Sequence, residues 1–222
     1  MTEAPEWTIQ SDLLEATGQP TLEEALRYLG LPSTGAEIVP EAQGWYRAGS
    51  ETYLYAFRLR SGPRVTRLLL KACVAVGSLS GVDAELDQWL LRRRTLDEHS
   101  VSTPGLFYRN RGCILEEFVC YSLSSRISSI SGEPRERLLF ELGRTSAAID
   151  DLGFAPTSLS DLRSRGHDVV VVDFGEDLGP AYQGSAHAGL ALDCAVDLVS
   201  KCGASKLDLR ALSHGYEVGN LV

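Results

Sequence analysis

VVVVDFGEDLG, residues 169–179, sets four consecutive valines directly against an acid. So dense a run of β-branched apolar residues suits a strand buried on both faces and not a surface pattern. Asp173 then has two readings. It is the polar stop of a core strand, or it is a metal ligand held at the rim of a site. The rest of the chain has to decide.

The 222 residues are long enough for one large domain or two lobes with a real core. A composition of 44% hydrophobic and 23% charged residues is that of an ordinary globular protein. The formal net charge of -9 argues against nucleic acid or an anionic membrane as the main partner. It leaves room for a nucleotide, since a local cationic site fits inside an acidic protein. Cys73, Cys113, Cys120, Cys194 and Cys202 are scattered without metal-ligand spacing, which reads as reduced, mostly buried thiols. The N-terminal MTEAPEWTIQSDLLEATGQP lacks the basic and apolar regions of a signal peptide. No apolar run approaches the roughly 20 residues that span a bilayer. A cytoplasmic location is the expectation. Arginine outnumbers lysine 18 to 3, so a lysine at an apolar position stands out.

Along the chain, residues 1–43 read as an N-terminal helical extension, with Thr21 and Glu24 at capping-box spacing before TLEEALRYLGL. Residues 44–121 read as a β-rich lobe with one helix. Tyr53, Tyr55, Phe57 and Leu59 alternate as in a half-buried strand, SGP at 61–63 marks a turn, and VTRLLLKACVAV forms a second strand around Lys71. In the helix pattern of residues 82–100, Val82, Glu85, Leu86 and Trp89 share a face. Glu85 on that face either pairs with a cation, for which Lys71 is the candidate, or snorkels to water as Lys71 does. GCILEEFVCYS is a further strand. Residues 122–222 read as a helical lobe. Its serine-rich start, SLSSRISSIS, is expected to be a flexible connection. The helix at EPRERLLFELGRTSAAIDDLG turns Leu138, Leu139, Leu142 and Ile149 inward. The whole is an α+β organisation of two lobes joined near Glu116–Ser122, with a ligand expected between them.

This order of features resembles the protein-kinase-like superfamily, in its small, bacterial, aminoglycoside phosphotransferase-like branch, over roughly residues 44–219. The matching segments are RAGSETYLY, LLLKACV, DAELDQW, CILEEFV, SDLRSRG, VVVVDFGED and ALDCAVDL. The resemblance implies a two-lobed kinase-like fold with a shortened helical C-lobe. It implies a phosphotransferase that uses ATP and Mg²⁺ to phosphorylate a hydroxyl. By it, Gly49, Ser50 and Thr52 lie over the phosphates, and Lys71, paired with Glu85, holds them. Glu116, Glu117, Phe118 and Val119 offer backbone contacts to adenine. Asp173 binds Mg²⁺, and Asp161 is the catalytic base. Asp193 braces the catalytic loop.

The sequence departs from that pattern in one place. Leu159 stands where the loop histidine is expected, and Gly166 where the metal-binding asparagine is expected. Ser164, His167 and Asp168 are nearby polar residues, none at the matching position. The short loop also leaves little room for a strand before DFG. Asp161 is therefore either the base or a turn aspartate, and the alternative function is a nucleotide-binding pseudokinase that activates or scaffolds a partner. His99, His167, His187 and His214 form no ligand pattern, and Asp177 reads as a solvated turn residue. Only 47 residues follow Gly175, which favours an open acceptor face. The acceptor expected there is a Ser or Thr of a bacterial peptide, with a partner protein completing the site.

Overall fold

The protein is described here as a computed structural model covering residues 36–48, 52–61, 63–73, 79–110, 113–175, 178 and 189–221. It is α+β: strands fill the N-terminal part and helices the C-terminal part. The chain divides into two compact units. One is Met1–Gln88 with Pro104–Phe118, the other Trp89–Thr103 with Val119–Val222.

In the first unit, β2 (Thr52–Ser61) and β3 (Arg64–Cys73) form the expected antiparallel hairpin across the SGP turn. Phe57 and Leu59 are buried while Arg60 is exposed, which is the alternation a one-sided strand requires. In β3, Leu68, Leu69 and Leu70 are all buried, so both faces of this strand are covered there. The full antiparallel sheet runs β1-β2-β3-β5-β4, with β1 at Ala36–Ala48, β4 at Leu106–Asn110 and β5 at Cys113–Glu117. The register of β1 on β2 slips between Pro40 and Trp45, next to a residue that has no N–H to give the ladder. Residues 36–43 of the expected helical extension thus belong to a strand. Its TLEEALRYLGL helix lies outside the described residues. Helix α1 (Leu79–Glu98) begins in this unit and ends in the other.

The second unit is built on α2 (Leu123–Ser129), α3 (Glu133–Asp151), α4 (Leu190–Lys201) and α5 (Lys206–Gly219). α2 corrects the expectation of a flexible serine-rich connection. Ser122 caps it by accepting from the Ser125 N–H at 3.3 Å, and Leu123 and Ile127, one turn apart, are wholly buried. Leu138, Leu139, Leu142 and Ile149 of α3 all face the core as their spacing requires. The valine run is a strand only at Asp168–Val170 (β8), paired with β7 (Arg163–Arg165) and, through it, with β6 (Tyr121–Ser122). β7 lies in the segment that had seemed too short to hold a strand. Gly166, at φ 67°, makes the tight reversal that lets it form. Val169, Val170 and Val171 are buried, and the Val171 N–H donates to the Ser102 carbonyl at 3.0 Å, so the run stays satisfied beyond its strand. Among the described residues no helix is long and apolar enough to cross a membrane.

α3 and α5 meet backbone to backbone. A Cβ on Gly143 would strike the Leu212 carbonyl, and one on Gly215 the Phe140 carbonyl. The start of α5 is fastened by charge. Ser205 and Asp208 form a capping box, and Arg135 from α3 binds the Asp208 carboxylate at 3.0 Å. Burial pushes the Asp208 carboxyl upward. The hydrogen bonds from the Ser205 backbone and from Arg135 outweigh it and hold the group below its usual range.

Two outcomes follow. Gly215→Ala must part the two helices, and the cost is about 3 kcal/mol in urea denaturation, the high end for overpacking. Because the Asp208 carboxyl titrates lower folded than unfolded, its contribution is complete above about pH 4 and lost as pH falls through the folded value. Asp208→Asn should therefore destabilise the protein at neutral pH and flatten the acid limb of its stability curve.

Candidate functional site

Lys71 is a buried lysine at 8% exposure, and a charge so placed needs a carboxylate. It finds Glu116: Nζ lies 2.8 Å from Oε1, and Glu116 itself is 2% exposed. The angle of that contact falls outside hydrogen-bonding range, so charge holds the pair. The sheet explains the match. Lys71 stands directly opposite Ile114 in the β3–β5 register, and Glu116, two residues on, shares the face of Ile114. That diagonal is within reach of two long side chains. The expected pairing of Lys71 with Glu85 falls outside the described residues: Glu85 lies in α1, but its side chain is not among them.

The stretch from Glu116 to Val119 is partly committed to the sheet. The Glu117 N–H donates to the Gly105 carbonyl at 2.8 Å and the Phe118 N–H to the Arg67 carbonyl at 3.1 Å. Glu117 Oε2 also accepts from the Gly105 N–H at 3.1 Å. Val119 is buried. An adenine that used either of those two N–H groups would have to break a bond of the fold. Gly49 and Ser50 lie outside the described residues, while Thr52 opens β2 opposite Cys73.

In the second unit, Asp161 and Asp173 line one small recess together with Ser158, Leu159, Val171 and Leu178. Geometry brings them there. Asp161 precedes β7 and Asp173 follows β8, so the antiparallel hairpin returns the chain to its starting point and sets residues twelve apart side by side. Both acids are exposed. Asp173 Oδ1 accepts the Gly175 N–H at 2.9 Å, which fixes one carboxylate oxygen, and among the described residues no hydrogen bond to the other is seen. The recess, about 20 Å³, has room for a water and not for a nucleotide. A single carboxylate such as Asp173 can nevertheless serve Mg²⁺ where water and substrate phosphates complete its shell. Carboxylate oxygen is the donor type that a hard divalent ion prefers. Among the described residues no three His, Cys, Asp or Glu side chains gather in one place.

The residues near the missing asparagine do not replace it here. Neither Ser164, His167 nor Asp168 lines the recess. The Ser164 hydroxyl and His167 Nδ1 are buried without a protein partner, where a bound water would satisfy them. Leu159, in place of the loop histidine, belongs to the core. Asp193 is exposed in the first turn of α4, where its charge suits the helix dipole. Asp150, which the sequence did not single out, ties α3 to the start of α4 and to α5. It accepts from the Ala191 and Leu192 N–H groups at 2.9 and 3.4 Å and from the Tyr216 hydroxyl at 2.9 Å. Burial and that bond to Asp150 push the Tyr216 phenol up to about 12. Of the thiols, Cys120, Cys194 and Cys202 are half-buried. The chain matches no protein-family model and no curated protein.

Lys71→Met strands the Glu116 carboxylate in the sheet and should cost about 3–5 kcal/mol, as for any buried pair cut on one side. The double change Lys71→Met with Glu116→Leu should recover most of that loss. A urea double-mutant cycle reads the coupling directly, and simple additivity of the two losses would show that the pair is not coupled.

Proposed function

We propose that the chain is a two-lobed, kinase-like ATP/Mg²⁺-dependent phosphotransferase of the aminoglycoside phosphotransferase-like class. It moves a phosphoryl group to a hydroxyl, with a Ser or Thr of a peptide as acceptor and a partner protein completing the acceptor side in the cytoplasm. The observation that carries the reading is the convergence of Asp161 and Asp173 on one recess. Their spacing is that of a base and a metal-binding acid, and the hairpin between them makes the spacing functional. The buried Lys71, oriented by Glu116, adds the phosphate-binding cation that such chemistry requires.

In this reading Lys71 gives its charge to the nucleotide phosphates, and Glu116 keeps its ammonium in place. Asp173 is the residue that would hold the cation. Asp161 orients the acceptor hydroxyl and takes its proton as the oxygen–phosphorus bond forms and ADP departs. Bound Mg²⁺ would supply charge neutralisation on the phosphates.

A second reading, a nucleotide-binding pseudokinase acting as an activating or scaffolding subunit, has its own support. Gly166 serves a turn and Leu159 the core, so the two positions that usually assist transfer are committed to folding.

Thermal shift and ADP production separate the readings. With Mg²⁺ and ATP at a hundredfold excess over Kd, binding should add about 2.7 kcal/mol of stability. Lys71→Ala and Asp173→Ala should abolish that gain. In the enzyme, Asp161→Ala should lower ADP release by about 10²-fold or more while binding survives. Binding without turnover, unchanged by Asp161→Ala, assigns the pseudokinase. If nucleotide stabilises neither the parent nor any variant, both readings are wrong.

A further inference from the structure

A carboxylate serves a cation only when its orientation is fixed, and the turn 173–175 has few side chains with which to fix its own. Helix α1 does this from outside. Arg92 donates through one guanidinium nitrogen to the carbonyls of Phe174 and Gly175, at 2.8 and 2.6 Å. Trp89, three residues earlier on the same helix, sets its indole 3.7 Å from the point where a Cβ on Gly175 would stand. Gly175 in turn gives its N–H to Asp173 Oδ1. Three contacts thus lead from α1 to the acid.

We infer that Arg92 is a positioning residue that holds the Asp173–Gly175 turn so that the Asp173 carboxylate meets a divalent cation. This rests on the metal role proposed above for Asp173. A charged donor shared by two carbonyls makes shorter and stronger bonds than neutral groups do. Gly175 is part of the same device. A methyl group there would stand 3.1 Å from Asp173 Oδ1 and displace the carboxylate. The helix that carries Glu85 therefore also governs the aim of the metal-binding acid.

Mn²⁺ is a suitable probe, since it shares the oxygen preference of Mg²⁺ and is visible by electron paramagnetic resonance. On the full chain with ATP present, Arg92→Met should weaken Mn²⁺ binding about tenfold, a loss of about 1.4 kcal/mol. It should speed hydrogen exchange at the Gly175 amide by a similar factor and leave metal-free ATP binding unchanged. Arg92→Lys should restore much of both, because one nitrogen makes both bonds. Gly175→Ala approaches the same orientation from the other end, so the outcome stands even where Arg92→Met does not fold. Unchanged Mn²⁺ affinity in a folded Arg92→Met or Gly175→Ala protein, beside its loss in Asp173→Asn, overturns the role of Arg92 alone. Mn²⁺ affinity that survives Asp173→Asn removes the metal reading and this inference with it.

Discussion

A lysine ammonium taken out of water must find a negative partner, and that requirement organises the first unit. Lys71 meets it across the sheet through Glu116. Side chains alternate along a strand, so a slip of β5 by one residue would turn Glu116 to the opposite face, away from the Lys71 ammonium. Charge therefore specifies the β3–β5 register as firmly as the buried leucines of β3 do. A residue held this way has a fixed ammonium position, which a flexible surface lysine lacks.

The second unit meets a different constraint, the satisfaction of backbone groups where a buried strand ends. β8 is only three residues long, yet Val171 and Phe174 beyond it are buried too. Ser102 accepts from Val171, and Arg92 donates to the two carbonyls after Asp173. The turn that carries the acid is thus tied to segments far away in sequence. An acid at the end of a core strand could have been only a polar stop. Its shared recess with Asp161 gives it a chemical neighbour.

Much of this was legible in the sequence. Alternation located the β2–β3 hairpin, 3.6-residue periodicity gave the inner face of α3, and the valine run identified a buried strand. What escaped detection depended on tertiary geometry. The Lys71–Glu116 match is a diagonal across strands more than 40 positions apart, and it becomes visible only once the register is known. β7 was hidden because three polar residues, RSR, carry no apolar alternation, and the strand exists through its pairing with β6 and β8. α2 was masked by serines, although Leu123 and Ile127 stood one turn apart. Asp150 and Arg92 act on the backbone of distant elements, a contact that leaves no pattern in either local segment. The Asp161–Asp173 spacing was readable, but the hairpin that brings the two acids together was not.

The glycine contact between α3 and α5 bears on how the second unit is able to move. Where side chains separate two helices, those chains act as a deformable layer and the helices slide by changing rotamers. Gly143 and Gly215 leave no such layer, since carbonyl groups occupy the space a Cβ would need. The two helices therefore behave as one stiff beam, with Arg135 and Asp208 as a cross-brace at one end.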